Sequence, residues 1–541
     1  MGIFKDNFTL LKKASEPLYK TPKSVQQTIE ILKISEGGIF EVAPGKYSKS
    51  YKFSDVNYTT RSEDEQESFF QKYCKCLNSL DCVFKITVNN KNKDMEALKR
   101  DVMLSYENDG FDKMRKSYNN IIEEKIMEGR QGIEQERYIT ITIERKNFEE
   151  AKAQFTTIEN SMFKSFSELG SRLIPLTGDE RLKVLHDYYR LGREEEFDFC
   201  IRDRKKTGAD FRNDICNSKL KFYQDYYEDE SKVCRAIYIK KYPTYLSDRF
   251  FTELTFFPIH SITSVDVVPV PKDMTMRILQ KKYLGIESDI IKQQQTRNKN
   301  NDFSSEISYT TRRQKAEIED IMNNVRENDE SLFFVGVTMV VMADTLEELD
   351  SICESIDSIA RGAGCSIDIC QYKQREALNT ALPIGVRQIE TMRTMLTQSL
   401  AVLMPFNIQE LCDKGGIYYG VNQVSKNIIV GNRKKLLNGN GFIFGVSGAG
   451  KSFQAKMEMG SVLLSTKDNV ICVDPMNEYE DVVEKYNGTY INISNNTKNY
   501  INPMDMDVWN LDVLDSKGWV RDKCQFMLSI CEQIMKEITP Q

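Results

Sequence analysis

Gly445-Val446-Ser447-Gly448-Ala449-Gly450-Lys451-Ser452 has the spacing G-x-x-x-x-G-K-[ST]. This pattern suits a phosphate cup. Glycines let the backbone curl so that successive N–H groups converge on an anion. A helix starting at the loop's end adds the positive end of its dipole. Lys451 is then expected between the β- and γ-phosphates and Ser452 on a Mg²⁺ ion. The residues expected to touch the nucleotide are Gly445, Ser447, Gly448, Ala449, Gly450, Lys451, Ser452 and Phe453. ATP with Mg²⁺ is the cofactor pair that this chemistry implies.

A second group follows. Val470-Ile471-Cys472-Val473 is an apolar run ending in Asp474, and Pro475-Met476-Asn477-Glu478-Tyr479 comes next. An acid at the end of such a strand can hold Mg²⁺ through water, and an acid just beyond can lie near the attacking water. Asp474 is therefore a candidate metal residue, and Glu478 joins Lys451 as a candidate catalytic residue. The same spacing also suits a plain turn at a strand end, and both readings stand.

The elements around the loop fit its role. Phe442-Ile443-Phe444 reads as a short apolar strand before it, and residues 452–464 read as a helix interrupted only by Gly460. Strand, loop, helix is the context that this motif needs. Upstream, Gly38–Val42 and Tyr47–Phe53 flank a Pro44-Gly45 turn and read as a hairpin. Tyr138–Ile143 alternates strictly and reads as a half-buried strand. Asn147 before Phe148-Glu149-Glu150 is an N-cap signal, and Thr345-Leu346-Glu347-Glu348 repeats that arrangement after the apolar run at 332–342. A strand–helix–strand–helix–strand order read twice predicts two ferredoxin-like subdomains.

The expected class is therefore α/β and multidomain: an N-terminal α+β region followed by the first part of a P-loop domain. The expected boundaries are 1–176 for the hairpin and first α/β subdomain, 177–260 for a charged, mostly helical insert, 261–410 for the second subdomain and a linker helix, and 411–541 for the P-loop domain. Residues 292–305 are polar and read as a mobile loop, and a helix is expected from Gly385 to Met404.

Composition narrows the alternatives. The chain has 541 residues, enough for about three or four domains. Lys and Arg total 74 against 80 Asp and Glu, a net charge of -6 that gives no global attraction to nucleic acid. The mean hydropathy of -0.48 excludes a polytopic membrane protein. The longest apolar run, Leu332 to Ala343, is shorter than the about 20 residues that a spanning helix needs. The first residues carry no signal-peptide pattern. The 13 cysteines contain no C-x-x-C pair and only two histidines accompany them, which argues against zinc and for reduced thiols.

The segments GVSGAGKSF, VDPMNEY and Ile501-Asn502-Pro503-Met504-Asp505 together resemble the ATPase domain of the CagE/TrbE/VirB family, cytoplasmic ATPases of type IV secretion and conjugation. LPIG at 382–385, TMRTMLTQSLAVLMPF, GGIYYGVN and the N-terminal GGIFEVAPGKYSKSYKFSDVNY look like the same family in its Gram-positive conjugative-element form. The resemblance implies an N-terminal α/β domain and then a RecA-like P-loop motor related to HerA and FtsK, of which this chain carries the first part. It also implies hexameric or dimer-based assembly, channel subunits as partners, and a cytoplasmic position at a membrane through them. Only 90 residues follow Lys451, and Thr539-Pro540 signals the start of another helix, so the sequence reads as a fragment lacking later motor elements. Two other readings stand beside this one: a HerA/FtsK-like DNA-pumping translocase, and an assembly scaffold with little catalysis of its own.

Overall fold

The computed structural model describes residues 22–535, apart from 23, 93–94, 129–132, 204–209, 218, 231, 244, 248, 258, 300–308, 328–329, 424–426, 495–496, 498, 500–501 and 506–515. Thr539-Pro540 and Ile501 lie outside the described residues. The protein is mixed α/β, and its chain divides into two units. One comprises Met1–Met103 with Ser117–Gly439, the other Leu104–Lys116 with Asn440–Gln541.

The larger unit is built on a sheet of 13 strands. Its centre is a structural pattern used twice. In the first copy, β1 (Lys46–Phe53), α1 (Glu63–Asn78), β2 (Val83–Asn92), β3 (Ile133–Glu144), α2 (Phe148–Leu169) and β4 (Leu173–Pro175) follow one another. They pair antiparallel in the order β4-β1-β3-β2. In the second copy, β5 (Lys232–Lys241), α3 (Arg249–Thr255), β6 (Ser261–Val270), β7 (Leu332–Ala343), α4 (Leu346–Gly362) and β8 (Ser366–Ile369) pair as β8-β5-β7-β6. Fourth, first, third, second is the ferredoxin-like order. Each copy also places a pair of helices between its second and third strands: Met95–Val102 and Asp112–Glu128 in one, Lys272–Lys299 and Tyr309–Glu327 in the other.

The two copies share one sheet because their second strands pair. β2 and β6 run antiparallel, with Ile86 opposite Val265 and Lys85 opposite Asp266. The α2 and α4 caps are the same device. The Asn147 side chain accepts from the Glu150 N–H at 2.9 Å, and the Thr345 hydroxyl accepts from the Glu348 N–H at 3.2 Å. Such caps stabilise a helix by about 1 kcal/mol each.

One sheet face carries Phe84, Ile86, Ile139, Ile141, Val265 and Val267, packed under α1, α2 and α4 with Phe69, Phe155 and Ile356. The other face is polar and equally buried. Ser48, Ser50, Lys85, Thr87, Thr140 and Thr142 are each 5% exposed or less. Leu382-Pro383-Ile384-Gly385 covers it, and its carbonyls accept hydrogen bonds from the face. Ser48 donates to Ile384 O (2.5 Å), Ser50 to Pro383 O (3.1 Å), and Thr142 to Gly385 O (3.1 Å). Arg181 adds bonds to Pro383 O and Ile384 O. Gly385 is required here: its φ is +91°, and a Cβ would lie 2.6 Å from the Ser48 Cβ.

Four local expectations change. The alternating run 138–143 is buried on both faces rather than one, because residues 382–385 satisfy its hydroxyls. The segment 177–260, expected to be mostly helical, carries β5 and the strands Leu220–Phe222 and Tyr227–Asp229; the apolar residues of β5 pair with β7. The helix expected up to Met404 is confined to Thr397–Ala401, since Arg393–Leu396 instead forms a strand against Leu332–Val335. Residues 292–299, expected in a mobile loop, are helical, within a helix braced by Lys315–Glu287 (3.0 Å) and Tyr283–Glu319 (3.1 Å) contacts to the next. Residues 300–305 of that expected loop lie outside the described residues. Among the described residues, no helix is long and apolar enough to cross a membrane.

Candidate nucleotide-binding site

The smaller unit carries the glycine-rich loop. Residues 441–444 run extended into it, and the helix Lys451–Ser465 starts directly after Gly450. Gly448 and Gly450 both have left-handed backbones, with φ of +79° and +87°. At Gly445 a Cβ would stand 3.2 Å from the Lys451 Cγ and 3.3 Å from the Ala449 Cβ, so a side chain there would press on both. The Ala449 N–H closes the loop on Val446 O at 3.2 Å.

The Lys451 ammonium bends back across the loop. It donates to Gly445 O at 2.8 Å and to Val446 O at 2.9 Å. These carbonyls hold the cation at the loop mouth, and an incoming anion would compete for it. Ser452 follows in the first helical turn, half-buried, and Phe453 points outward at 68% exposure. Farther along, Gly460 is buried because Tyr486 lies over it; a Cβ there would come within 2.7 Å of the Tyr486 hydroxyl. The helix thus rests on Tyr486, whose ring in turn packs against Phe111 at 5.8 Å.

Asp474 is committed to its own backbone. One carboxylate oxygen accepts from the Met476 N–H (3.1 Å), the other from the Glu478 N–H (2.6 Å) and the Tyr479 N–H (3.0 Å). Partial desolvation would raise its pKa, but the N–H groups of Tyr479, Met476, Glu478 and Asn477 outweigh this and hold the carboxyl below its usual value. The turn also requires Asn477 in a left-handed conformation, φ +58°. Glu478 lies on this turn, exposed, and its backbone N–H is what Asp474 holds.

Tyr479 has no role in the sequence reading, yet it links this turn to the loop helix. The Lys456 ammonium sits 5.4 Å from its ring centroid, and its phenol interacts with Ser452. Partial burial raises the phenol's pKa. An aromatic directly after the Asp-x-x-x-Glu spacing was the available signal. It could not be read without knowing that the turn folds back onto the helix.

The two strands expected to frame the loop are not strands among the described residues. Residues 442–444 and 470–473 are extended but unpaired, with Phe442 and Ile471 86% and 93% exposed. A strand of a parallel sheet is buried on both faces and bonded on both edges. The apolar composition meets the local requirement only, and the pairing is a non-local one.

The structure therefore brings Gly445, Ser447, Gly448, Ala449, Gly450, Lys451 and Ser452 into one loop and helix start. It connects Asp474 to that helix through Tyr479. A comparison with curated proteins finds no match. Residues 432–539 match the model of the family described as Helicase HerA, central domain, so this region of the chain is a HerA-like P-loop domain.

Proposed function

We propose that this chain is an ATP-binding and ATP-hydrolysing motor subunit of a type IV secretion or conjugative DNA-transfer apparatus, energising channel or pilus assembly or substrate transfer. The observation that carries the nucleotide part is the Lys451 ammonium, held by two carbonyls at the mouth of a loop with two left-handed glycines. The match to the HerA central domain supports a P-loop motor, and the motifs quoted above, LPIG among them, support the secretion branch. LPIG has a structural place, as the carbonyl-rich cover of the polar sheet face.

The residues fit a triphosphate. The curl at Gly445 is tight, and Lys451 can exchange its carbonyl partners for phosphate oxygens. Ser452, half-buried in the first helical turn, is our candidate for holding a metal, and Glu478 is exposed on a turn tied to the same helix. Mg²⁺, when bound, neutralises β- and γ-oxygens. The subunit would act at the cytoplasmic face of a membrane through partner channel subunits, as a hexamer or dimer-based oligomer.

Calorimetry with Mg-ATP tests the site. Lys451→Ala is expected to weaken binding about 100-fold, the loss of charge-assisted bonds to two phosphates. Equal affinity in the variant would refute the reading. A DNA-pumping translocase is the second reading, favoured by the description of the matched family as a helicase. It requires DNA-stimulated turnover, with affinity falling steeply as salt rises.

A further inference from the structure

We infer that Asp474 is a positioning residue and not a metal ligand: its carboxylate holds the turn 474–479 that seats Tyr479 against the phosphate-loop helix. The inference rests on the nucleotide-binding reading given above and deepens it.

The geometry is specific. Both Asp474 oxygens are occupied by backbone N–H groups, at 3.1, 2.6 and 3.0 Å. A carboxylate engaged in this way must give up charge-assisted bonds before it can turn to a cation. The bonds oppose a local cost, the left-handed backbone of Asn477. The turn delivers two things. It opens the helix Glu480–Lys485, with Tyr479 as the residue before its first turn. It also places the Tyr479 ring over the Lys456 ammonium, one helical turn beyond Ser452. The Ser452 hydroxyl, assigned to the metal, is among the groups that act on the same phenol. A ligating group is oriented by the partner behind it, and loss of that partner typically weakens binding. Asp474 thus acts on the site at one remove, through Tyr479.

Two roles for Asp474 predict different measurements. A metal ligand changes only the Mg²⁺ requirement. A turn-holding residue changes nucleotide affinity whether or not Mg²⁺ is present. Asp474→Asn keeps one acceptor and loses the other. It is expected to weaken ADP binding about tenfold both with Mg²⁺ and with EDTA, leaving the Mg²⁺ midpoint in place. The second variant is Asn477→Gly. Glycine adopts positive φ without strain, so the turn depends less on the carboxylate. The loss caused by Asp474→Asn should be smaller in the Asn477→Gly background than in the wild type. The cycle also cancels the contact that Tyr490 makes with the Asn477 side chain.

Hydrogen exchange gives an arm independent of nucleotide. The Glu478 and Tyr479 amides should exchange about tenfold faster in Asp474→Asn, the loss of bonds to a charged acceptor. A shifted Mg²⁺ midpoint with unchanged EDTA affinity overturns the inference. So does unchanged exchange, or an equal loss in both backgrounds. Wild-type protein that binds no nucleotide refutes the functional reading instead, and the exchange arm still decides whether Asp474 holds the turn.

Discussion

Asp266→Ala is expected to destabilise the large sheet by about 3–5 kcal/mol, the usual consequence of removing one partner of a buried ion pair. Asp266 and Lys85 are directly opposite each other where β2 meets β6, 3.4 Å apart and both buried. Burial pulls the Lys85 pKa down and pushes that of Asp266 up, and their attraction opposes both shifts. The pair therefore contributes little net energy while both members remain. Asp266 also acts on Arg387, together with Glu390, and on Lys46, where Glu144 acts more strongly. Without it Lys85 still feels the cations Arg387 and Lys46 and retains only carbonyl acceptors, those of Thr380, Leu382 and Val386. Urea titration read by pulse proteolysis would measure the loss. Replacing both residues with apolar ones, Lys85→Met with Asp266→Leu, should cost less than Asp266→Ala alone, since no unpaired buried charge remains at the seam. A double variant worse than the single would show that the pair fixes the register of the seam. A slip of one residue there would exchange the two faces of the sheet.

The contrast between local and non-local information explains what the sequence made legible. The phosphate loop was readable because its chemistry lies in eight contiguous residues, and the structure places them in one curl. The caps at Asn147 and Thr345 were readable for the same reason. The doubled strand–helix order was visible, but its second copy was read without β5. That strand, Lys232–Lys241, sits among charged and aromatic segments, and its partner β7 begins about ninety residues later in the chain. Alternation in residues 138–143 reported polarity correctly but not exposure. The carbonyls that make burial of Thr140 and Thr142 tolerable come from residues 383 and 385. Asp474 shows the same limit at the site. The sequence displays an acid after an apolar run, and only the left-handed Asn477 turns the following amides toward it.

A second buried acid makes stability depend on pH. Asp229 ends the strand Tyr227–Asp229 and is 3% exposed. One of its oxygens accepts from the Asn217 side chain at 2.7 Å, while the other has no partner among the described residues. Tyr189, Cys216, Cys234, Tyr188 and Tyr227 all feel its charge, and Glu230 next to it is a second acid. Burial pushes its pKa from 3.8 up to about 7, against the opposing Asn217 bond. The sign follows from linkage. The folded protein holds this proton more tightly than the unfolded chain, so Asp229 costs nothing below the unfolded pKa. The cost grows as pH rises from about 4 to 7 and is constant above that, at about 4 kcal/mol for a shift of this size. Asp229→Asn should remove it. The amide keeps the acceptor for Asn217 and presents its NH₂ where the unpartnered oxygen was. The hydroxyl of Tyr189, which also lacks a partner among the described residues, feels the charge of this group. Guanidinium midpoints should therefore coincide for wild type and variant near pH 4, separate through pH 7, and stay apart by a fixed interval above it, the variant being the more stable. An interval independent of pH would mean that Asp229 is not titrating in this window, and a less stable variant at pH 8 would mean that the unpartnered oxygen meets a donor in solution.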